Sequence, residues 1–194
     1  MNDIYFALFD TAIGRCGIVW SERGVACVGF PEKSEHATRR RLLRRFSDAR
    51  EIAPPPDIQR AIDDIVALLA GERRDLTHVQ IDTADLPEFN RRVYAVARGI
   101  PPGTTLSYGE IAERLGDKSL ARDVGHALGQ NPIPIIVPCH RVLAAGGKMG
   151  GFSAPGGIDT KLRLLQIERA LPGGPTLFDH LPLTAAPPAR GRAR

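Results

Sequence analysis

Long hydrophobic runs are missing from this 194-residue chain. No stretch approaches the ~20 consecutive apolar residues that a membrane-spanning helix needs, so no membrane role is expected. Met1 to Phe9 includes Asp3 and lacks a basic start followed by a long apolar run, so no signal peptide is read and a cytosolic protein is expected, nucleoid-associated if the source is bacterial. Cysteine is scarce, with Cys16, Cys27 and Cys139 alone. Three thiols cannot all pair, which argues against a disulfide scaffold and for free thiols in a reducing compartment. No internal repeat is visible. His36, His78 and His180 have no metal-ligand spacing with a cysteine, and no zinc or other cofactor is expected. What the chain does have is 43% hydrophobic residues, enough for one large core or two small ones, and a net charge of +4. A mild basic excess fits a nucleic-acid partner but is weak evidence, because many basic proteins bind none.

Residues Ile4 to Phe30 alternate apolar stretches with turn signals at Ile13-Gly14 and Arg23-Gly24, which predicts a β meander. Arg39 to Phe46 reads as a short basic helix, better explained as a solvated face over Leu42 and Leu43 than as a DNA contact. Ala53 to Pro56 is a proline-rich break. Ile58, Ile62, Ile65, Val66 and Leu69 then predict an amphipathic helix over Asp57 to Ala70, ended by Gly71. Leu76 to Ile81 reads as a further strand. Residues 1–83 are thus expected to form an α/β scaffold domain, a small antiparallel sheet plus helix.

A second, mainly α domain is expected over residues 84–171. Phe89, Val93, Tyr94 and Val96 predict a helix over Pro87 to Arg98, stopped by Ile100-Pro-Pro-Gly103. Ser107 and Glu110 form a capping box for Tyr108 to Leu115. A turn at Gly116 to Ser119 leads into a helix over Leu120 to Leu128. Two short helices around a tight turn meet the requirements of a helix-turn-helix, although many such hairpins bind nothing. The β-branched run Ile133 to Val137 delivers Cys139 and His140 at a proline-rigidified turn, and a Gly-rich loop, Gly146 to Gly157, follows. Lys161 to Ala170 is a final amphipathic helix. Residues 172–194 read as a Pro-rich tail in which Leu177 and Phe178 pack back, with disorder expected from Ala185.

A cysteine must become a thiolate to act as a nucleophile. Adjacent side chains on extended backbone diverge, so a bridging water is expected between Cys139 and His140, with Glu168 fixing the imidazole. On local pattern alone, Cys139 reads equally well as a nucleophile or as a buried inert thiol. Cys16 and Cys27, in apolar strand contexts, read as structural.

Residues Leu86 to Ala170 resemble the O6-alkylguanine-DNA alkyltransferase family. The resemblance is carried by Pro138-Cys-His-Arg-Val142, by Ile100-Pro-Pro-Gly-Thr-Thr-Leu-Ser-Tyr-Gly-Glu-Ile-Ala112, by Ala121-Arg-Asp-Val-Gly125, by Asn131-Pro132, and by Lys161 through Leu164-Leu165 to Glu168. It implies a ribonuclease H-like first domain and a winged helix-turn-helix second domain. It also implies a single-turnover reaction in which Cys139 takes an alkyl group from O6 of guanine in double-stranded DNA, with O4-alkylthymine as a second lesion and the protein acting as a monomer. His140 would deprotonate Cys139 through water, Glu168 would orient His140, Tyr108 would protonate guanine N3, and Asn131 would join the second helix to an active-site strand. Arg122 would fill the gap in the base stack, within a DNA-facing set that includes Ala121, Gly125, His126, Tyr108 and Arg141. Val142, Phe152, Ser153, Ala154 and Pro155 would line the substrate pocket, the backbone of Cys139 and Val142 accepting from the base's exocyclic amine.

Some positions depart from the family pattern. Its usual tyrosine in the Gly-rich loop corresponds to Phe152, Ser153 to Gly157 is longer than the commonest form, and His126 replaces a small residue. Relatives that bind zinc have ligands where this chain has Ser21 and Ala26. Two rival functions remain: a non-catalytic lesion sensor, which the presence of Cys139 opposes, and the same transfer from a non-DNA alkylated molecule. A zinc-dependent regulator would need a metal cluster and an appended domain that the sequence does not supply.

Overall fold

The computed structural model describes residues 3–171; the expectations for Leu177, Phe178 and the segment from Ala185 lie outside them. Three strands, β1 (Tyr5–Thr11), β2 (Gly14–Ser21) and β3 (Gly24–Gly29), form the meander. Their register runs from Tyr5↔Trp20 to Thr11↔Gly14 and from Gly17↔Gly29 to Ser21↔Gly24. Gly24, at φ 114°, turns so close to the Gln80 carbonyl that a Cβ would lie 2.5 Å from it. The sheet is mixed, not purely antiparallel as expected, because β4 (Arg50–Glu51) pairs parallel to β1.

Alternation along the strands gives the sheet two apolar faces. Phe6, Val19 and Cys27 pack with Leu42 of α1 (Glu35–Arg45). Only Thr38 and Leu42 of that helix are buried, so its arginines form a solvated face. The opposite face, with Phe9, Ile18 and Trp20, packs on α2 (Pro56–Leu69) through Ile58, Ile62 and Ile65. The strand expected over Leu76 to Ile81 does not form; Ile81 makes a single bridge to Val25. The physical reason is competition for acceptors. The Arg98 guanidinium takes the carbonyls of Leu76, Thr77 and Val79 at 2.7–3.2 Å, leaving them unavailable for a ladder.

The same core continues without a break into the second half of the chain, through Val93 and Tyr94 of α3 (Glu88–Arg98), Ile111 of α4 (Tyr108–Arg114), Val124 of α5 (Ala121–Gly129) and Leu164 of α6 (Ile158–Ile167). The α4–α5 hairpin turns through one 3-10 turn, Lys118–Leu120. The Ser107–Glu110 capping box is present in both directions. β5 (Leu106–Ser107) pairs parallel with β6 (Val142–Leu143), tying the start of α4 to the segment just after Cys139.

No strand forms over residues 131–138, contrary to expectation. Pro132, Pro134 and Pro138 have no N–H to give a ladder, and Ile135 sits at φ 74°, a left-handed conformation that is a true outlier for a β-branched residue. The Asn131 side chain clamps the segment instead: its Nδ2 donates to the Val137 carbonyl at 2.8 Å and its Oδ1 accepts from the Ile133 N–H at 2.9 Å. Cys139–Arg141 then form a 3-10 turn, which corrects the extended backbone expected for Cys139 and His140.

Ser107→Ala removes the side-chain half of the capping box. A loss of about 1 kcal/mol is expected, read as a lower denaturation midpoint with an unchanged slope. An unaltered midpoint would mean that the β5–β6 pairing alone sets the start of α4.

Candidate active site

Each group in the site is held by a different element. Cys139, at the start of the 3-10 turn, is 8% exposed and reaches the floor of a groove of about 590 Å³. Tyr108, at the first position of α4, and Arg122 and Gly125 of α5 form one wall of that groove, while Gly151, Phe152 and Ser153 form the other. The Tyr108 ring is closely confined. A Cβ at Gly150 would lie 3.2 Å from the Tyr108 hydroxyl, and one at Gly125 would lie 3.8 Å from the ring. Glycine at these two places lets the loop and the helix close on the ring.

Behind Cys139 lies a buried charged network. His140 is fully buried, and its Nε2 lies 2.9 Å from Glu168 Oε1. The other carboxylate contacts come from Arg141, whose Nε and Nη2 donate to the two Glu168 oxygens at 2.8 Å each, while its Nη1 donates to the Ile100 carbonyl at 2.6 Å. Burial pushes the Glu168 carboxyl up, but the hydrogen bonds from His140 and Arg141 outweigh it and hold it at about 2. Burial lowers His140, and the opposing pull of Glu168 does not overcome it, so the imidazole is neutral. With Nε2–H donating to an ionised carboxylate, Nδ1 carries the lone pair. It is buried and has no hydrogen-bond partner among the described residues.

Burial also raises the Cys139 thiol, against the smaller influences of the Asn131 amide and the Lys161 ammonium. The resting thiol is therefore protonated. Tyr108 is raised by burial and by its proximity to Cys139, which keeps its hydroxyl protonated as well. Cys16 and Cys27 are buried and pushed up to about 11, as fits inert core thiols.

The structure brings together most of the residues singled out from sequence. His140 and Glu168 are joined by a hydrogen bond directly behind Cys139, which His140 follows in the chain, and Tyr108, Arg122, Ala121, Gly125, Phe152 and Ser153 surround the groove. Asn131 holds the backbone that leads to Cys139. Arg122 and His126 are exposed on α5, with His126 Nε2 3.0 Å from the Gln130 amide. Three expectations need correction. Arg141 does not face outward for DNA: it is 4% exposed and spent on Glu168 and Ile100. Val142 is fully buried, and its carbonyl already accepts from Lys161 Nζ at 2.6 Å. Pro155 lines a cavity that does not include Cys139, because the loop turns away, whereas Ala154 lines a cavity that shares Cys139, Phe152 and Ser153 with the groove.

Lys161 is the residue that pattern reading passed over. It is fully buried, lies 5.9 Å over the Tyr108 ring, and is lowered to about 8 by burial. The available signal was its spacing: Lys161 shares the apolar face of α6 with Leu164 and Leu165. Among the described residues no group of three or more His, Cys, Asp or Glu could hold a metal ion, and no helix is long and apolar enough to cross a membrane.

Comparison with known proteins agrees with this geometry. Residues 88–170 match the family described as 6-O-methylguanine DNA methyltransferase, DNA binding domain. A methylated-DNA–protein-cysteine methyltransferase of Mycolicibacterium paratuberculosis is 47% identical over 120 residues, covering 61% of this chain and 70% of the relative. One from Methanosarcina acetivorans is 33% identical over 165 residues, covering 85% and 98%. The crystal structure of Mycobacterium tuberculosis OGT in complex with DNA superposes with a TM-score of 0.69 at 33% identity, covering 87% of this chain and 96% of that one. The chain belongs to the methylated-DNA–protein-cysteine methyltransferase family.

Proposed function

We propose that this protein repairs alkylated DNA by direct reversal, moving an alkyl group from O6 of guanine to Cys139 in a single turnover. The observation that carries the reading is the arrangement behind the groove: a protonated, nearly buried thiol, and beside it a neutral histidine with one ring nitrogen free and the other anchored on an ionised carboxylate. The histidine is thus oriented as a base.

In this reading the Cys139 proton passes through a water to His140 Nδ1, and Glu168 stabilises the imidazolium that forms. Sγ attacks the carbon bound to O6. The S–C bond forms as the C–O6 bond breaks, its electron pair passing into the purine. Tyr108 donates its hydroxyl proton to N3, and guanine leaves as the neutral lactam. Asn131 acts by positioning the turn that carries Cys139. A thioether is a poor leaving group and nothing in the site regenerates the thiol, so the protein is consumed.

A base in a duplex hides its O6 substituent and must be turned out to reach Cys139. The α4–turn–α5 hairpin is suited to this, as a helix-turn-helix with the β5–β6 pair beside it in the winged manner. The sheet and its helices fit a ribonuclease H-like scaffold. Helix α5 presents Ala121, Gly125 and Gly129, small residues that permit close approach to a minor groove, with Arg122 as the long side chain that enters the stack. Little on α5 can read base edges, as suits a lesion that arises in any sequence. His126 adds a phosphate contact at the same surface. We place this activity in the cytoplasm, with the protein acting as a monomer.

Incubation with duplex DNA holding one O6-methylguanine should add one methyl mass to Cys139 and stop at one equivalent, and Cys139→Ser should bind DNA without accepting the methyl. Repeated turnover, or a methyl on another residue, would contradict the reading. Arg122→Ala should slow repair of the duplex by ~10-fold or more, since unstacking costs a few kcal/mol, yet slow reaction with free O6-benzylguanine far less. Equal losses on both substrates would remove Arg122 from the flipping step.

A further inference from the structure

The groove is not the only space that reaches Cys139. A second cavity of about 120 Å³ shares Cys139, Phe152 and Ser153 with it and continues toward the scaffold half of the chain, between α1 and the Asn131-to-Pro134 segment. Phe152 stands at the junction, its ring edge-on to Phe30 with centroids 5.9 Å apart and planes at 69°. Beyond this pair the lining is apolar at Leu42, Phe46 and Pro134, and it carries two cations, Arg41 and Arg45. Arg41 is paired with Glu32 at 2.6 Å. Arg45 is in no ion pair among the described residues and lies 5.6 Å over the Phe46 ring. The cavity therefore shares Cys139 with the groove, runs along apolar walls and has in its lining a positive charge that is in no ion pair among the described residues.

We propose that this cavity is a specificity subsite for the far end of long O6-alkyl groups, and that Arg45 selects groups whose chain ends in an anion such as a carboxylate. The proposal rests on the alkyl-transfer reading above. Displacement at carbon is in line, with the sulfur, the transferred carbon and O6 close to one axis, so everything beyond the first carbon must leave that axis sideways. The groove side is taken by the base. The cavity past Phe152 and Ser153 is the space open to the chain. A methyl group ends before it, whereas a chain of several carbons crosses the apolar section and brings its terminus to Arg45. A carboxylate there gains a charge-assisted hydrogen bond, and a methyl terminus gains nothing from it. Arg45 is exposed, so water screens the pairing and the selectivity is modest. The bonds made and broken are those of methyl transfer: Sγ–C forms, C–O6 breaks, and the anionic terminus takes no part.

The test uses the full chain and three duplexes, carrying O6-methylguanine, O6-pentylguanine or O6-(4-carboxybutyl)guanine, with second-order transfer rates read by intact mass. The ratio of the carboxybutyl rate to the pentyl rate is the measured quantity, which cancels effects of Arg45 on folding or on DNA affinity. It should fall about two- to five-fold in Arg45→Gln, the range of an exposed ion pair, and further in Arg45→Glu, while Arg40→Gln on the same helix leaves it near the wild-type value. A ratio unchanged in both Arg45 variants would overturn the proposal, as would an equal fall in Arg40→Gln, which would show only the general field of the basic helix. Transfer of the methyl group alongside either result keeps the alkyl-transfer reading standing. No methyl transfer at all would overturn that reading, and the subsite with it.

Discussion

One buried carboxylate organises the second half of this molecule. The Glu168 side chain is 3% exposed, and it accepts from His140 on one side and from Arg141 in two places on the other. An unpaired carboxylate at such a position would cost several kcal/mol, so the end of α6 and the turn at Cys139–Arg141 have to meet in this geometry. Arg141 extends the constraint by donating to the Ile100 carbonyl just past α3. Three segments distant in sequence are thereby fixed around the one turn that carries the thiol.

That constraint also decides the chemistry. Burial outweighs the pull of Glu168 on the imidazole, and the Arg141 charge works in the same direction as burial, so Glu168 anchors His140 without making it a permanent cation. The thiol, raised by burial, is stored protonated. A standing thiolate in a groove open to DNA would be exposed to oxidation and to stray electrophiles. A thiol that is ionised only when its proton has somewhere to go avoids this, and in the proposed mechanism the acceptor, reached through a water, is the His140 nitrogen that has no partner among the described residues. Asn131 contributes from the other direction by holding a backbone that Ile135 strains.

Much of this was legible in the sequence, for reasons that differ by element. The meander, α2, α3 and the capping box at Ser107 follow from local pattern, which needs no knowledge of distant partners. The pairing of His140 with Glu168 beside Cys139 was legible through motif order. Two of the misreadings depended on a partner far along the chain, and two on local features that the pattern underweighted. Leu76 to Ile81 has strand character, but its carbonyls go to Arg98. The run Ile133 to Val137 has β-branched residues, yet its prolines and the Asn131 clamp make it a turned segment. Arg141 looks like a DNA-facing cation until Glu168 and Ile100 come into view. Lys161 looks like a surface residue until its apolar-face position on α6 is weighed.

The central claim is that His140 rests as a neutral imidazole, protonated on Nε2 and free on Nδ1, next to a protonated Cys139. Nitrogen-15 NMR of the His140 ring in the full chain tests it most directly. The account predicts shifts of the neutral Nε2–H tautomer at neutral pH, with protonation only below the ordinary histidine range. A ring that is an imidazolium at neutral pH, or that carries its proton on Nδ1, would contradict it.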